Sequence, residues 1–438
     1  MNDWKESNIK SLGTVFTNNT FSRDCLNYDS GEYQNIHYGD VLITFSDVID
    51  ANSPLVPYIN SNETVKSDTF IEDGDIIVAD TAEDETVGKV CEIQNVGKRK
   101  IVSGLHTLWY RPNKNEFAPK YLGYLLNTFE CHKQLVRKAH GIKVLSINKG
   151  DFWKTIIKYP ASLQEQAAIA GIISKVDQCI ENVQKSIEAT QKLKKSLMQN
   201  LLTGRMKPDG TMRKDDEFYE HPKMGKLPKK WNVKQVKDIA IKVTDGEHQT
   251  PRRAECGYYL LSARNVKNGY LALHDVDYVD EQEFNRIKKR CHPEENDILI
   301  SCSGTIGNVC KVPAGIECVM VRSAALIKVN HKMIESSFLE YLLQSYPLQN
   351  AMKVAVSASV QGNLFQGAIK KLRFIVPENI TEQEKIASIL NSVTEKIKSE
   401  QNKIIILQRL KKSLMQNLLT GKIRVDVEKI NHLLESMK

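Results

Sequence analysis

Two stretches of this chain repeat apolar residues at the spacing of a long helix that pairs with another. From Gln164 onward they fall at Ile169, Ile173, Val176, Ile180, Val183 and Ile187. Steps alternating four and three set these side chains along one seam of a coiled coil. After Thr190 the phase slips by one and resumes at Leu193, Leu197 and Leu201. The second run reads Ile386, Leu390, Val393, Ile397, then Glu400 at a seam position, then Ile404, Leu407, Leu410, Leu414 and Leu418. Gly204 and Gly421 stand where each helix needs a left-handed cap. About 40 residues at ~1.5 Å rise predict rods of roughly 60 Å. Two such seams predict a pair, in preference to each rod packing only on its own domain.

The two runs are one sequence used twice. Leu193–Gly204 returns letter for letter as Leu410–Gly421, 217 positions later, and 23 of the 45 residues from Pro160 to Gly204 are identical at that offset. Upstream the similarity thins but keeps register, with Tyr121–Leu126 on Phe338–Leu343. A period of this size is a domain, not a solenoid repeat.

Between the helices the pattern is mixed. Asp40–Phe45 and Asp75–Ala79 are strand-like runs opened by turns at Gly39 and Gly74. Tyr121 to Leu135 has helical spacing, with Leu122, Leu125, Leu126 and Phe129 on one face. Ser301–Gly307 reads as a strand ending in a loop.

The expected fold is therefore α+β: two mixed α/β domains, separated by two long helices paired as an antiparallel coiled coil, with an internal pseudo-two-fold repeat. The divisions are a first domain at 1–159, a helix at 160–204 and a polar linker at 205–230. A second domain follows at 231–376, a second helix at 377–421 and a tail at 422–438. The tail's Val427, Ile430, Leu433 and Leu434 suit packing against the N-terminal region.

Composition narrows the function. The chain of 438 residues has 61 basic and 53 acidic residues, a formal charge of +8, mild but suited to a nucleic-acid binder. Residues 1–159 hold 18 basic and 21 acidic residues, and residues 231–376 hold 19 and 15. The acidic run from Asp68 to Glu85 must face away from phosphate. Nine cysteines with no CxxC pair point to a reducing cytoplasm over a disulfide framework. Cys302, Cys310 and Cys318, eight apart, fit buried core thiols better than a zinc site. An 18-residue apolar run and a basic-then-apolar leader are both missing, so neither membrane span nor export signal is expected.

The chain resembles the DNA-specificity subunits of type I restriction–modification systems over nearly its whole length. The helical segments Gln164-Glu165-Gln166…Leu201-Leu202-Thr203-Gly204 and Thr381-Glu382-Gln383…Leu418-Leu419-Thr420-Gly421 carry that resemblance. So does the bridge Asp209-Gly210…Arg213…Phe218…Gly225-Lys226-Leu227-Pro228-Lys229-Lys230-Trp231. Asp245-Gly246-Glu247-His248-Gln249-Thr250-Pro251, Ser303–Gly307 and Ser359–Leu364 look like that family's recognition segments. The first domain departs from the second, offering Ala79–Gly88 and Val102–Thr107 instead, so it resembles a different recognition-domain subtype.

Signatures of neighbouring enzymes are missing. The chain has no Asn/Asp-Pro-Pro-Tyr/Phe methyltransferase motif, no Gly-x-x-x-x-Gly-Lys-Ser/Thr phosphate loop and no Pro-Asp…Glu-x-Lys nuclease cluster outside the linker. The expected work is recognition without catalysis. Arg, Lys, His, Gln, Asn, Ser and Thr on loops can reach phosphates and base edges. Candidates in the second domain are His248, Gln249, Thr250, Arg252, Arg253, Arg264, Asn265, Ser303, Thr305, Gln361 and Asn363. In the first domain they are Lys98, Arg99, Lys100, His106, Arg137, Lys138, His140 and Lys143. His248 beside Asp245 could also serve as an acid–base pair, but its neighbours Gln249, Thr250, Arg252 and Arg253 suit DNA.

The resemblance implies double-stranded DNA with a bipartite site and a methyltransferase subunit, commonly in two copies, that methylates adenine with S-adenosylmethionine. A restriction subunit using ATP and Mg would join it, and no cofactor belongs to this chain. Lys194, Lys195, Met198 and Gln199, with their duplicates Lys411, Lys412, Met415 and Gln416, are the candidate docking strip; a solvated helix face is the alternative. A stand-alone DNA-binding regulator and a coiled-coil scaffold without DNA are the rival readings.

If helix length sets the gap between two half-sites, deleting four residues from one helix will change the spacer and leave the half-sites intact. Altered half-sites with the original spacer, read from the methylated sequence, would contradict this.

Overall fold

A computed structural model describes residues 3–222, 224–359 and 362–436. The chain divides into two compact units, one made of Met1–Gln184 with Asn402–Lys438 and the other of Lys185–Gln401. Each unit thus takes the first half of one long helix and the last half of the other. The helices run Leu163–Leu201 and Ile380–Leu418.

In the first unit, Trp4–Asn8 pairs antiparallel with Ile156–Pro160, so that Trp4 faces Pro160 at the entry to the first long helix. A five-stranded sheet follows the order Gly13–Phe16, Thr107–Pro112, Ile76–Ala79, Val90–Gln94, Val48–Asp50. A four-stranded sheet contains Lys100–Ser103, Tyr33–Ile36, Tyr58–Ile59 and Leu26–Asn27. Ile169, Ala170 and Ile173 of the first long helix and Leu418 and Leu419 of the second share one core with Tyr121, Tyr124 and Leu125. The start of one helix lies beside the end of the other, so the pair is antiparallel.

The second unit repeats this closure on different sheets. Trp231–Gln235 pairs with Arg373–Pro377, bringing Trp231 opposite Pro377. A four-stranded sheet runs Ala240–Asp245, Ala324–Val329, Ile298–Ser301, Val309–Lys311, and a three-stranded sheet runs Asp277–Val279, Tyr258–Leu261, Cys318–Met320. Leu201 and Leu202 join Ile386, Ala387 and Leu390 in its core. Where Glu400 interrupts the apolar seam, it accepts a hydrogen bond from Ser186 Oγ at 2.8 Å.

Equivalent contacts seal both units. Gln166 and Gln383 each accept a backbone N–H, from Ala118 and Glu335, and donate to Pro160 O and Pro377 O. Lys411 Nζ lies 5.3 Å from the Tyr124 ring centre and 2.6 Å from both Asp47 and Asp177. Lys194 lies 5.3 Å from the Tyr341 ring, with the buried Glu340 nearby. Burial opposes the charge on both lysines. The two carboxylates outweigh it at Lys411, whose pKa is raised, whereas that of Lys194 is lowered. Arg424 pairs with Glu165 through bonds of 2.6 and 2.7 Å, and Arg213 pairs with Glu382 in the same role.

Two local expectations differ from the structure. Asp40–Thr44 forms a π-helical turn instead of a strand, because the buried Asp40 carboxylate binds Arg23 at 2.7 and 3.2 Å. Tyr121–Leu126 and Phe129–Val136 are separate helices. Asn127 breaks them by bonding Asp47 and Val90, which leaves Phe129 66% exposed and off the core face. In the linker, Phe218–His221 pairs antiparallel with Gly225–Pro228, and Arg213 donates to Gly204 O. In the tail, the helix Val427–Ser436 brings Leu434 against Gly171. Cys302, Cys310 and Cys318 are buried thiols, and burial pushes Cys302 and Cys318 up to about 12.

Gly204 and Gly421 end the long helices at φ 66° and 71°. A Cβ on Gly204 would lie 2.4 Å from Pro228 Cγ and 3.2 Å from Trp231. Gly204→Ala should therefore lower unfolding stability by about 1–3 kcal/mol, combining left-handed strain with the clash. Denaturant unfolding of the full chain tests this, and an unchanged midpoint would refute the tight seat.

Candidate nucleic-acid interface

Five loops distant in sequence meet on the second unit. Glu247 N donates to Met320 O at 2.8 Å, and Arg322 N donates to Glu247 O at 3.1 Å, tying 245–253 to 320–323. Cys302 N donates to Ser323 O and Leu364 N donates to Cys302 O, adding 301–307 and 362–364. Ser323 Oγ accepts from Ala263 N, adding 262–265. These contacts lie where strands of two sheets end, so a firm scaffold carries the loops.

The loop after Asp245 is rigidly framed. Gly246 has no room for a side chain, since a Cβ would meet Met320 O at 2.2 Å. Glu247 Oε1 accepts from His248 N at 2.8 Å and Gln249 N at 2.9 Å, while its Oε2 binds Arg286 at 3.2 Å. Arg286 also clamps Glu283 at 2.8 and 3.0 Å, and Glu283 accepts from Arg252 N at 3.2 Å. Glu283 lies below its ordinary pKa, chiefly through the Arg286 bonds. Desolvation opposes ionisation of Glu247, but backbone donors and Arg286 prevail, so its pKa is lowered. Held this way, His248, Gln249, Thr250, Arg252 and Arg253 are exposed.

The other candidates in this unit divide by burial. Arg253 and Arg264 converge on Asp277, at 3.0 and 2.9 Å. Thr305 is exposed, Ser303 and Asn363 are half-buried, and Gln361 lies outside the described residues. Asn265 is buried, accepting from Ser262 and donating to Ala272 O and Asp275 O, so it braces its loop from within. Sequence reasoning did not include Glu247, Glu283, Arg286, Arg290 or Arg322. The cluster Arg286, Lys288, Lys289, Arg290 was the available signal, but its connection to His248 is long-range.

The first unit gathers a different set. Asp80 and Thr81, part of the acidic run expected to face away from phosphate, instead join His106, His140 and Ser146 through Ile147 N→Asp80 O at 2.8 Å and the paired backbones of His140 and Ser146. His106, at φ 54°, sets Nδ1 3.6 Å from Asp80 and 3.4 Å from Thr81. Burial raises the Asp80 pKa. His140 lies 3.6 Å from Asp151. Arg137 and Lys143 are exposed beside it, and Lys138 is half-buried with a pKa lowered by burial. Lys98, Arg99 and Lys100 are not part of this cluster. Lys98 and Arg99 precede, and Lys100 opens, the strand Lys100–Ser103, at its opposite end from Gly104, where Lys100 pairs with Glu32 at 2.6 Å.

On the repeated helix segment, Lys195, Gln199, Lys412 and Gln416 are exposed, while Met198 and Met415 are half-buried against their cores. Lys194 and Lys411 instead serve the tyrosine contacts described above. Lys194, Lys195, Met198 and Gln199 also line a groove of about 1300 Å³ in the second unit, opposite Met212, Met224 and Tyr346. Among the described residues no helix is long and apolar enough to cross a membrane.

The model of the type I restriction modification DNA specificity domain matches twice, over residues 1–191 and 228–409. The chain belongs to this family. It is a DNA-specificity subunit of a type I restriction–modification complex, and its role is recognition rather than catalysis. Two Methanocaldococcus jannaschii proteins are similar. One, named as the type I restriction enzyme MjaX specificity subunit, is 28% identical over 366 residues, covering 80% of this chain and 79% of its own. The MjaVIII specificity subunit is 25% identical over 338 residues, covering 75% and 76%. The fold is also that of the S subunit of a type I system from M. genitalium, with TM-score 0.57, 17% identity and coverage of 95% and 96%.

In this specificity subunit, Arg253→Ala should weaken DNA binding by ~1–3 kcal/mol if the side chain forms a bidentate base contact. Titrations of the full chain against target and non-target duplexes check this. Unchanged affinity and preference would remove Arg253 from the interface.

Proposed function

We propose that the chain reads a bipartite duplex site, one half-site per unit, and brings an adenine methyltransferase to it. One observation supports this most: the two units are closed by matching contacts but present unlike loop clusters. The first offers His106, His140 and Lys143, and the second offers His248 to Arg253 with Thr305. Matching closures with different readers suit a site of two different halves.

Two methyltransferase copies fit the duplicated strip, one on each repeat of Lys195, Met198, Gln199 and Lys412, Met415, Gln416. In the second unit the groove beside that strip adds Met212, Met224 and Tyr346 as apolar contact. The methyltransferase would carry S-adenosylmethionine, and an ATP- and Mg-dependent restriction subunit would join afterwards. This chain would hold no cofactor of its own.

Genome-wide mapping of methylated adenine, after expressing the chain with its methyltransferase and each alone, tests the proposal. A split motif that requires both proteins is expected. A motif formed by the methyltransferase alone, or no methylation despite a stable complex of the two, would contradict it.

A further inference from the structure

The Asp245–His248 contact on the second unit has a directional consequence. His248 Nε2 lies 2.8 Å from Asp245 Oδ2. The other carboxylate oxygen, Oδ1, accepts from Arg290 Nη2 at 3.0 Å, and Arg290 Nε donates to Gly246 O at 3.2 Å. Arg290 thereby fixes the carboxylate, which keeps its charge: desolvation opposes ionisation, but the bonds from His248 and Arg290 lower the Asp245 pKa. An ionised carboxylate only accepts hydrogen bonds. In the neutral imidazole, Nε2 must therefore carry the proton, leaving Nδ1 as an acceptor. The ring sits on an exposed loop whose backbone Glu247 and Arg286 pin, and its side chain is 51% exposed.

We infer that His248 is a specificity-determining residue that reads, with Nδ1, the exocyclic amino group of adenine or cytosine in the major groove. Asp245 and Arg290 act as positioning residues that set its tautomer. The inference rests on the DNA-reading role proposed above. Of the four bases, adenine N6 and cytosine N4 present amino donors in that groove, whereas guanine and thymine present only acceptors; adenine N7 is an acceptor as well. An acceptor on the protein therefore divides the bases two against two. His248 is not an acid–base catalyst in this arrangement: the contact orients a reader.

The same geometry predicts a reversal. In Asp245→Asn, Arg290 still requires an oxygen, so the amide carbonyl turns to Arg290 and the NH2 faces His248. Nε2 then becomes the acceptor, the proton moves to Nδ1, and the reading edge changes from acceptor to donor. The fold loses one charge and no volume. His248→Ala supplies a second case, since it removes the reading edge and leaves the Asp245–Arg290 contact in place.

The test is selection of duplexes from a random library by the full chain with its methyltransferase subunit, comparing wild type, Asp245→Asn and His248→Ala. Thermal unfolding confirms that each is folded. Wild type should require adenine or cytosine at one position of one half-site, by on the order of tenfold over guanine and thymine. Asp245→Asn should reject cytosine, the one base with no acceptor in that groove, admit guanine and thymine at that position, and leave the others intact. His248→Ala should make it degenerate. If both folded variants keep the wild-type preference at every position, or lose affinity evenly at all positions, the inference is overturned. If wild type selects no sequence at all, the DNA-reading role itself fails, and that outcome is distinct from either.

Discussion

The structure depends on how the end of each long helix is seated. The identical segments Leu193–Gly204 and Leu410–Gly421 each finish against a tryptophan, Trp231 and Trp4 respectively, with a left-handed glycine against the indole. The second residue of each segment, Lys194 or Lys411, lies over a tyrosine, and an arginine beyond each glycine, Arg213 or Arg424, reaches a glutamate in the first turn of the other helix. Neither domain completes its core with its own helix alone. This explains why duplication is strictest at the helix ends: the same plug must fit two sockets.

The sockets are similar but not equal. Lys411 is held by two carboxylates at 2.6 Å, while Lys194 has the ring of Tyr341 and a buried Glu340 whose pKa is pushed up to about 7 by desolvation. A charge removed from water needs a close partner to retain its proton, and Lys411 has the stronger set. Beyond the sockets, sheet topology differs between the units, and the loops differ more. A common base with diverging tips lets recognition change while the closure stays fixed.

Much of the fold was legible because its strongest signals are local. Heptad spacing, cap glycines and an internal repeat all survive in a single sequence. The failures were local as well: the Asp40–Thr44 turn and the break at Asn127 each depend on a partner brought in by folding, Arg23 in one case and Asp47 in the other. The interface was legible as a set of loops and not as a surface. Nothing in the order of residues shows that Asp245 meets Arg290, that Asn265 is turned inward, or that Lys98–Lys100 stand apart from His106. Those facts depend on long-range pairing.

The central claim is that the two units read DNA through these gathered loops. Hydrogen exchange of the full chain, with and without its target duplex, tests it most directly. The account predicts new protection at residues 248–253 and 303–305 in the second unit and 104–107 and 137–146 in the first, with residues 97–100 unchanged. Protection confined to residues 97–100 or to the helix surfaces, with those loops unaffected, would contradict it.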